Sequence, residues 1–226
     1  MSRTLQLSVV ERDGRMTAVA VSIDGVLLLG YTGRDRATVL EHIRELEGLG
    51  VAPPARIPAI FPVAADLITT GDRVLVSEPH TSGEAEFYAV ESSAGWLVGV
   101  GSDHTDRHHE AIDVAASKSR CDKIISSQLW RLADVEPHWD TLMLRAWSTS
   151  GASRQLYQEG RLAMLMRLPE LLAELQRAGV DASARLIFGG TLPTIGGFAY
   201  GDHFEAELVD PVLKRRLHCA YDVRVE

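Results

Sequence analysis

Two glutamates one residue apart, Glu84 and Glu86, head a run of strand-forming residues, EFYAV. On a strand the i, i+2 spacing puts both carboxylates on one face. The next strand-like run, GWLVGVGS, is followed directly by Asp103, so an antiparallel return would bring a third carboxylate beside the pair. Three convergent carboxylates repel one another without a cation. As an open, oxygen-rich set they suit a hard divalent ion, magnesium or manganese, with positions left over for water and a ligand. A lone ExE is more often a solvated strand face, so its surroundings carry the argument. His80, in a Pro/Ser/Gly-rich loop just before Glu84, and His104, directly after Asp103, are the candidate general bases, because histidine titrates near neutrality. His104 and His108 have i, i+4 spacing but lack the glutamate that would make it a zinc motif.

The elements that must position these residues follow from periodicity. TLQLSVVE and TAVAVSI alternate apolar and polar residues, Arg12-Asp13-Gly14 lies between them, and Asp24-Gly25 precedes VLLLGYT, which reads as a three-stranded antiparallel meander over residues 4–32. Val39, Leu40, Ile43, Leu46 and Leu49 share one helical stripe ended by Gly50. The proline-rich VAPPARIPAIFP reads as an extended connector. Beyond it, RVLVSE, EFYAV, GWLVGVGS, TLMLRAW, ARLIFGG, HFEAELVD and RRLHCAYDVRVE read as strands. A helix is expected from about Asp106 to Ala116, and another with Pro169 in its first turn and Gly179 at its end. The expected class is β-rich α+β, divided into an N-terminal α/β lobe (1–50), a connector (51–79) and a main domain (80–226).

Bulk composition narrows the function classes. With 46% hydrophobic and 24% charged residues, 226 residues are enough to bury a sizeable core. The formal charge of −8 repels a polyphosphate backbone, and no basic stripe offsets it, so nucleic acid is not an expected partner. The N-terminal stretch lacks the apolar run of a signal peptide, and no segment is long and apolar enough to span a bilayer, so a soluble cytoplasmic protein without a membrane partner is expected. Cys121 and Cys219 form no CxxC pair and read as free thiols. No P-loop, dinucleotide fingerprint or GxSxG is present.

The order of these segments resembles the fumarylacetoacetate hydrolase (FAH) superfamily, whose members carry an ExE, an ND-x-S-ARD-like segment, a lysine in a KSFD-like segment and a TGTPxGVG-like loop. Here those places are taken by GEAEFYAV, GSDHTDRHHE, SKSRCDK and FGGTLPTIGG. The closing GDHFEAELVDPVLKRRLHCAYDV also resembles the family's ending, and the resemblance spans roughly residues 80–226. It implies a mixed β-sheet roll, a homodimer, and Mg²⁺ or Mn²⁺ held by Glu84, Glu86 and Asp103. It further implies Arg107 as a supporting cation, Lys118 as the active-site lysine, and Gly189, Gly190 and Thr191 as the loop that receives a substrate carboxylate. The family's GxNYxxHxxE-like segment, which supplies a His/Glu pair for activating water, has no counterpart in residues 57–83, which leaves the base to His80 or His104. The implied function is a metal-dependent enzyme acting on a small keto acid or diketo acid, with C–C bond hydrolysis first. The alternatives are decarboxylation, hydration or tautomerisation, or a module that binds metal and metabolite without turnover.

Overall fold

The two glutamates enter at the head of a strand buried on both faces. The computed structural model describes residues 2–48 and 52–226. Its first part contains β1 (Arg3–Val10), β2 (Met16–Ile23), β3 (Gly25–Gly30), α1 (Arg36–Gly48), β4 (Ala59–Val63), β5 (Ile68–Thr69), β6 (Arg73–Val76) and β7 (Thr81–Ser82). The ExE strand β8 (Ala85–Ser92) and β9 (Gly95–Ser102) form a hairpin. They are followed by β10 (Thr105–Asp106), α2 (Arg107–Glu110), α3 (Val114–Lys118), β11 (Lys123–Ile125), β12 (Gln128–Arg131) and α4 (Leu132–Val135). The last part holds β13 (Met143–Ser150), β14 (Ser153–Arg161), α5 (Leu168–Arg177), β15 (Arg185–Thr191), β16 (His203–Asp210) and β17 (Arg215–Val225).

A ten-stranded sheet runs in the order β2-β1-β12-β9-β8-β15-β3-β4, with β11 pairing β9 and β5. A five-stranded sheet, β14-β13-β16-β17-β6, lies against one of its faces. Ala85, Phe87 and Ala89 of β8 join Leu144, Ala146, Phe204 and Ala206 of the smaller sheet in one core. Tyr88 and Val90 point the other way, into a second core with Leu5, Leu7, Val26 and Leu28. Burial on both faces explains why β8 reads as a continuous apolar run rather than an alternating one. The result is the β-rich α+β architecture of curled mixed sheets expected from the sequence.

Three local expectations change. β1 and β2 form the expected hairpin, but β3 leaves the meander and pairs in parallel with β15 and antiparallel with β4. Its VLLL residues are all buried, and only an interior position between two other strands covers both faces of such a run. Strands from residues 1–50, 51–79 and 80–226 therefore share one sheet. The proline-rich connector contributes β4, and Pro62 is accommodated because β4 is an edge strand with no ladder on its outer side. The helix expected over 106–116 is two short helices, because the Asp113 side chain accepts a hydrogen bond from Ala116 N and starts α3 afresh. α1 forms over the predicted stripe with Val39 and Ile43 buried; Leu49, Gly50 and the Leu46 side chain lie outside the described residues. Cys121 and Cys219 are both free and buried.

Candidate metal centre

The β8–β9 hairpin delivers the third carboxylate. Glu86 pairs with Gly101 and Ala85 with Ser102, and the Asp103 N–H donates to the Glu84 carbonyl at 3.0 Å. Oxygen atoms of Glu84, Glu86 and Asp103 then lie within 4.8 Å of one another. Beyond the hairpin, β10 pairs with β7, which places α2 next to the glutamates. Arg107, at the start of α2, donates through Nη1 to Glu84 Oε1 at 3.0 Å and to Glu110 Oε2 at 2.7 Å, and through Nε to Ser82 Oγ at 2.7 Å. Its Nη2 is buried without a hydrogen-bond partner among the described residues. The guanidinium carbon stands 4.4 Å from the Phe198 ring centroid, so the ring's π face serves this cation where a polar partner is missing.

Lys118, the last residue of α3, reaches between two of the carboxylates. Its Nζ lies 2.5 Å from Glu84 Oε2, 2.8 Å from Asp103 Oδ2 and 3.1 Å from Thr105 Oγ1. A second lysine, Lys123, is fully buried; its Nζ forms an ion pair with Asp103 Oδ1 at 2.8 Å and donates to the His104 carbonyl at 2.6 Å. Burial alone would raise the Glu84 carboxyl, but Arg107 and Lys118 outweigh it and hold the group at about 2. Burial would also discharge Lys118; Asp103, Glu84 and Glu110 more than reverse this and keep it protonated.

Glu86 differs from its neighbours. It is only 3% exposed, and among the described residues no cation forms an ion pair with it. Among the described residues its side chain has one hydrogen bond, from Gly190 N to Oε2 at 2.7 Å. Burial, then repulsion from Asp103 and Glu84, pushes its carboxyl well above the usual range. A buried carboxylate with like charges on two sides and no cation of its own is the situation a divalent ion resolves. The three oxygens are hard donors of the kind Mg²⁺ and Mn²⁺ take. The residues present fit such an ion.

The remaining predicted residues divide. Gly190 adopts φ +92°, and a Cβ there would come within 1.9 Å of Thr32 Oγ1; a Cβ on Gly189 would strike the Phe87 ring at 2.0 Å. Glycine at 189 lets the backbone approach β8, and glycine at 190 lets it pass Thr32, so that the Gly190 N–H reaches Glu86. Thr191 Oγ1 donates to the Ala85 carbonyl at 2.8 Å and accepts from Gln158 Nε2 at 2.7 Å. The loop's Gly190 N–H and Thr191 hydroxyl are thus turned to β8. His104 is buried, with Nδ1 2.9 Å from Tyr221 Oη and Nε2 2.9 Å from Thr81 Oγ1. Burial, helped by Lys123 and Arg107, holds it at about 3, so it is neutral at physiological pH. It also precedes α2 and shares no helix face with His108. His80 is exposed; its carbonyl accepts from Arg107 N at 2.9 Å, and its ring meets Tyr200 edge-on at 5.4 Å.

Sequence reasoning missed several residues. Lys123 carried a usable signal, since a lysine inside the apolar strand CDKII demands a buried acid as partner. Gln158 carried none. It is fully buried in β14, accepts from Ala85 N at 2.9 Å and donates to Thr191 Oγ1 and to the Leu192 carbonyl at 2.6 Å, tying β8 to the 189–192 loop. Glu78, Asp106 and His109 also converge, but Arg120 Nε engages Asp106 at 2.8 Å and His109 Nδ1 lies 2.8 Å from it, which makes this a salt-bridged brace between α2 and its surroundings.

The sequence profile of DUF2848, described as a protein of unknown function, matches residues 29–221. The chain belongs to the DUF2848 family. No curated protein matches its sequence. Among solved structures, Cg1458 superposes with a TM-score of 0.64 at 15% identity, covering 90% of this chain and 77% of that one. A 2-keto-3-deoxy-D-arabinonate dehydratase complexed with magnesium and 2,5-dioxopentanoate gives 0.59 at 16%, covering 90% and 74%. Yeast ynq8, a fumarylacetoacetate hydrolase family protein, gives 0.62 at 14%, covering 90% and 94%. This DUF2848 chain therefore has the fold of the FAH superfamily, in agreement with the resemblance seen in its sequence. Among the described residues, no helix is long and apolar enough to cross a membrane.

Proposed function

We propose that this protein is a divalent-metal-dependent enzyme acting on a small keto acid or diketo acid, with C–C bond hydrolysis as its reaction. The observation that carries the reading is the buried Glu86, without a cation of its own among the described residues, beside Glu84 and Asp103. These three residues would hold Mg²⁺ or Mn²⁺. The chemistry such an ion supplies is Lewis acidity toward a keto oxygen. Lys118 holds its proton at Nζ and cannot act as a base at neutral pH; it serves as a fixed positive charge for the negative charge that develops on an enolate. Arg107 fixes the Glu84 carboxylate and Gly190 fixes Glu86, so neither has to reorganise when substrate arrives. His80, solvent-exposed on the loop before Glu84, is the candidate for activating water. His104, with both ring nitrogens engaged, braces Tyr221 and Thr81 instead.

Hydration or dehydration is the second reading, favoured by the dehydratase neighbour complexed with magnesium and 2,5-dioxopentanoate. A binding module without turnover is less well supported, because the carboxylates, Lys118 and the supporting Arg107 are all present and in contact. We further propose that the protein is a cytoplasmic homodimer; light scattering that returns a mass near 24.7 kDa at micromolar concentration would remove the dimer.

The test is calorimetric titration of Mg²⁺ and Mn²⁺ into metal-stripped protein, beside the Glu84→Ala/Glu86→Ala double variant. Binding confined to the wild type, followed by metal-dependent loss of the enol absorbance of a 2,4-diketo acid, is the expected result. Absence of metal binding to the wild type ends the proposal, and binding without turnover across a panel of keto acids leaves only the non-enzymatic module.

A further inference from the structure

The 193–201 loop is pinned at both ends and apolar in the middle. At its start, Gln158 holds the Leu192 carbonyl, and Ile195 N donates to the Tyr157 carbonyl at 2.7 Å. At its end, Gly201 lies so close to Ser148 and Thr149 that a Cβ would come within 2.4 Å of either, and Asp202 N donates to the Thr149 carbonyl at 2.8 Å. Between the anchors stand Ile195, Phe198 and Tyr200, each about half exposed. Large apolar side chains left in water are ordinary when scattered; three on one short loop beside a polar centre are not.

This loop is joined to the carboxylates through one side chain. Phe198 lays its ring on the Arg107 guanidinium, which itself binds Glu84, yet 53% of the residue remains exposed. Tyr200 stands edge-on to His80, on the loop that leads into Glu84. The charged floor of Glu84, Arg107 and Lys118 is thus bordered at Arg107 by the Phe198 ring, with Tyr200 beside the loop that leads into Glu84. A ligand anchored at the carboxylates would lay its far end against that surface.

Building on the reading of the carboxylates as a keto-acid site, we infer that Phe198 and Tyr200 form an apolar wall that selects keto acids with a hydrocarbon or aryl substituent distal to the carboxylate. A polyhydroxylated sugar acid would leave its hydroxyls facing this wall without hydrogen-bond partners. An aryl group can stack on the open part of Phe198 and remove apolar surface from water on both partners.

The experiment measures a ratio of affinities. Oxalate, pyruvate, phenylpyruvate and a polyhydroxylated 2-keto acid are titrated calorimetrically into Mn²⁺-loaded wild type, Phe198→Ala and Phe198→Leu. The ratio of the pyruvate Kd to the phenylpyruvate Kd cancels any change in the metal or in Arg107 common to both ligands. In the wild type it should be about tenfold or more; Phe198→Ala should bring it down about tenfold, with Phe198→Leu between. An equal ratio in all three proteins overturns the inference, as does a polyhydroxylated acid that binds as tightly as phenylpyruvate. If the wall is instead covered by a second copy of the chain, the ratio stays constant while Phe198→Ala lowers the mass seen by scattering, and the inference again fails. If neither oxalate nor pyruvate binds, the keto-acid reading itself falls and takes the wall's role with it, a result distinct from simple ligand binding with an unchanged ratio.

Discussion

Replacing Lys118 by methionine tests whether its ammonium and a divalent ion share the same carboxylates. The Nζ touches Glu84 at 2.5 Å and Asp103 at 2.8 Å. The variant keeps the side chain's length and apolar stem but leaves both acids one cation short. Breaking a buried ion pair by removing one partner costs about 3–5 kcal/mol. Arg107 still holds Glu84 and Lys123 still faces Asp103, which argues for the lower end. A chain of 226 residues has an unfolding entropy of about 0.5 kcal/mol per K. The metal-free variant should therefore melt about 6 °C below the wild type. Mn²⁺ should behave in the opposite sense. A unit positive charge about 4 Å from a divalent one opposes it by up to about 8 kcal/mol at an effective dielectric of 20, so after relaxation its removal should tighten Mn²⁺ binding by about tenfold or more. At saturating Mn²⁺ the melting gap should shrink accordingly. Differential scanning fluorimetry and isothermal titration on the two proteins decide the matter. An equal or weaker Mn²⁺ affinity in Lys118→Met, or an unchanged metal-free melting temperature, refutes the arrangement.

Further outcomes follow from other contacts. Gly190→Ala places a Cβ 1.9 Å from Thr32 Oγ1 at φ +92°, and should lower stability by at least about 1–3 kcal/mol in urea titration while weakening Mn²⁺ binding through the lost grip on Glu86; retention of both would contradict the close-approach argument. Gln158→Leu strands Ala85 N and the Leu192 carbonyl without their buried partner, for an expected loss of about 2–4 kcal/mol, read from the urea midpoint at constant slope. Asp140 sits between Arg34 and Arg167, whose hydrogen bonds hold its carboxyl well below the ordinary 3.8. Because its folded value is depressed, the stabilisation is full above the ordinary value and is lost as pH falls through it toward the folded one. Acid titration monitored by circular dichroism should show a shallower loss below about pH 4 in Asp140→Asn than in the wild type; identical profiles would mean this half-exposed cluster of Asp140 with two arginines contributes nothing.

What the sequence determined by itself is what depends on neighbours in the chain. The ExE parity follows from the two-residue period of a strand, and the return of Asp103 follows from a short turn between two runs that pair antiparallel. Helix α5 was legible from Pro169 and from Gly179, which adopts φ +70° past its end. The apolar runs announced the strands, and the order of motifs announced the fold. Partners distant in sequence were not legible. The Gly190 N–H that orients Glu86 lies 104 residues away, and it arrives there because β15 pairs with β8 on one side and in parallel with β3 on the other. The placing of Lys118 between two acids and the burial of Gln158 and Lys123 depend on that packing, whereas the splitting of the 106–116 helix is a local cap by Asp113 that the sequence itself carries. Local periodicity fixes which face a side chain takes; only the closing of the sheets decides which charges share a buried space, and therefore which carboxylate is left without a cation.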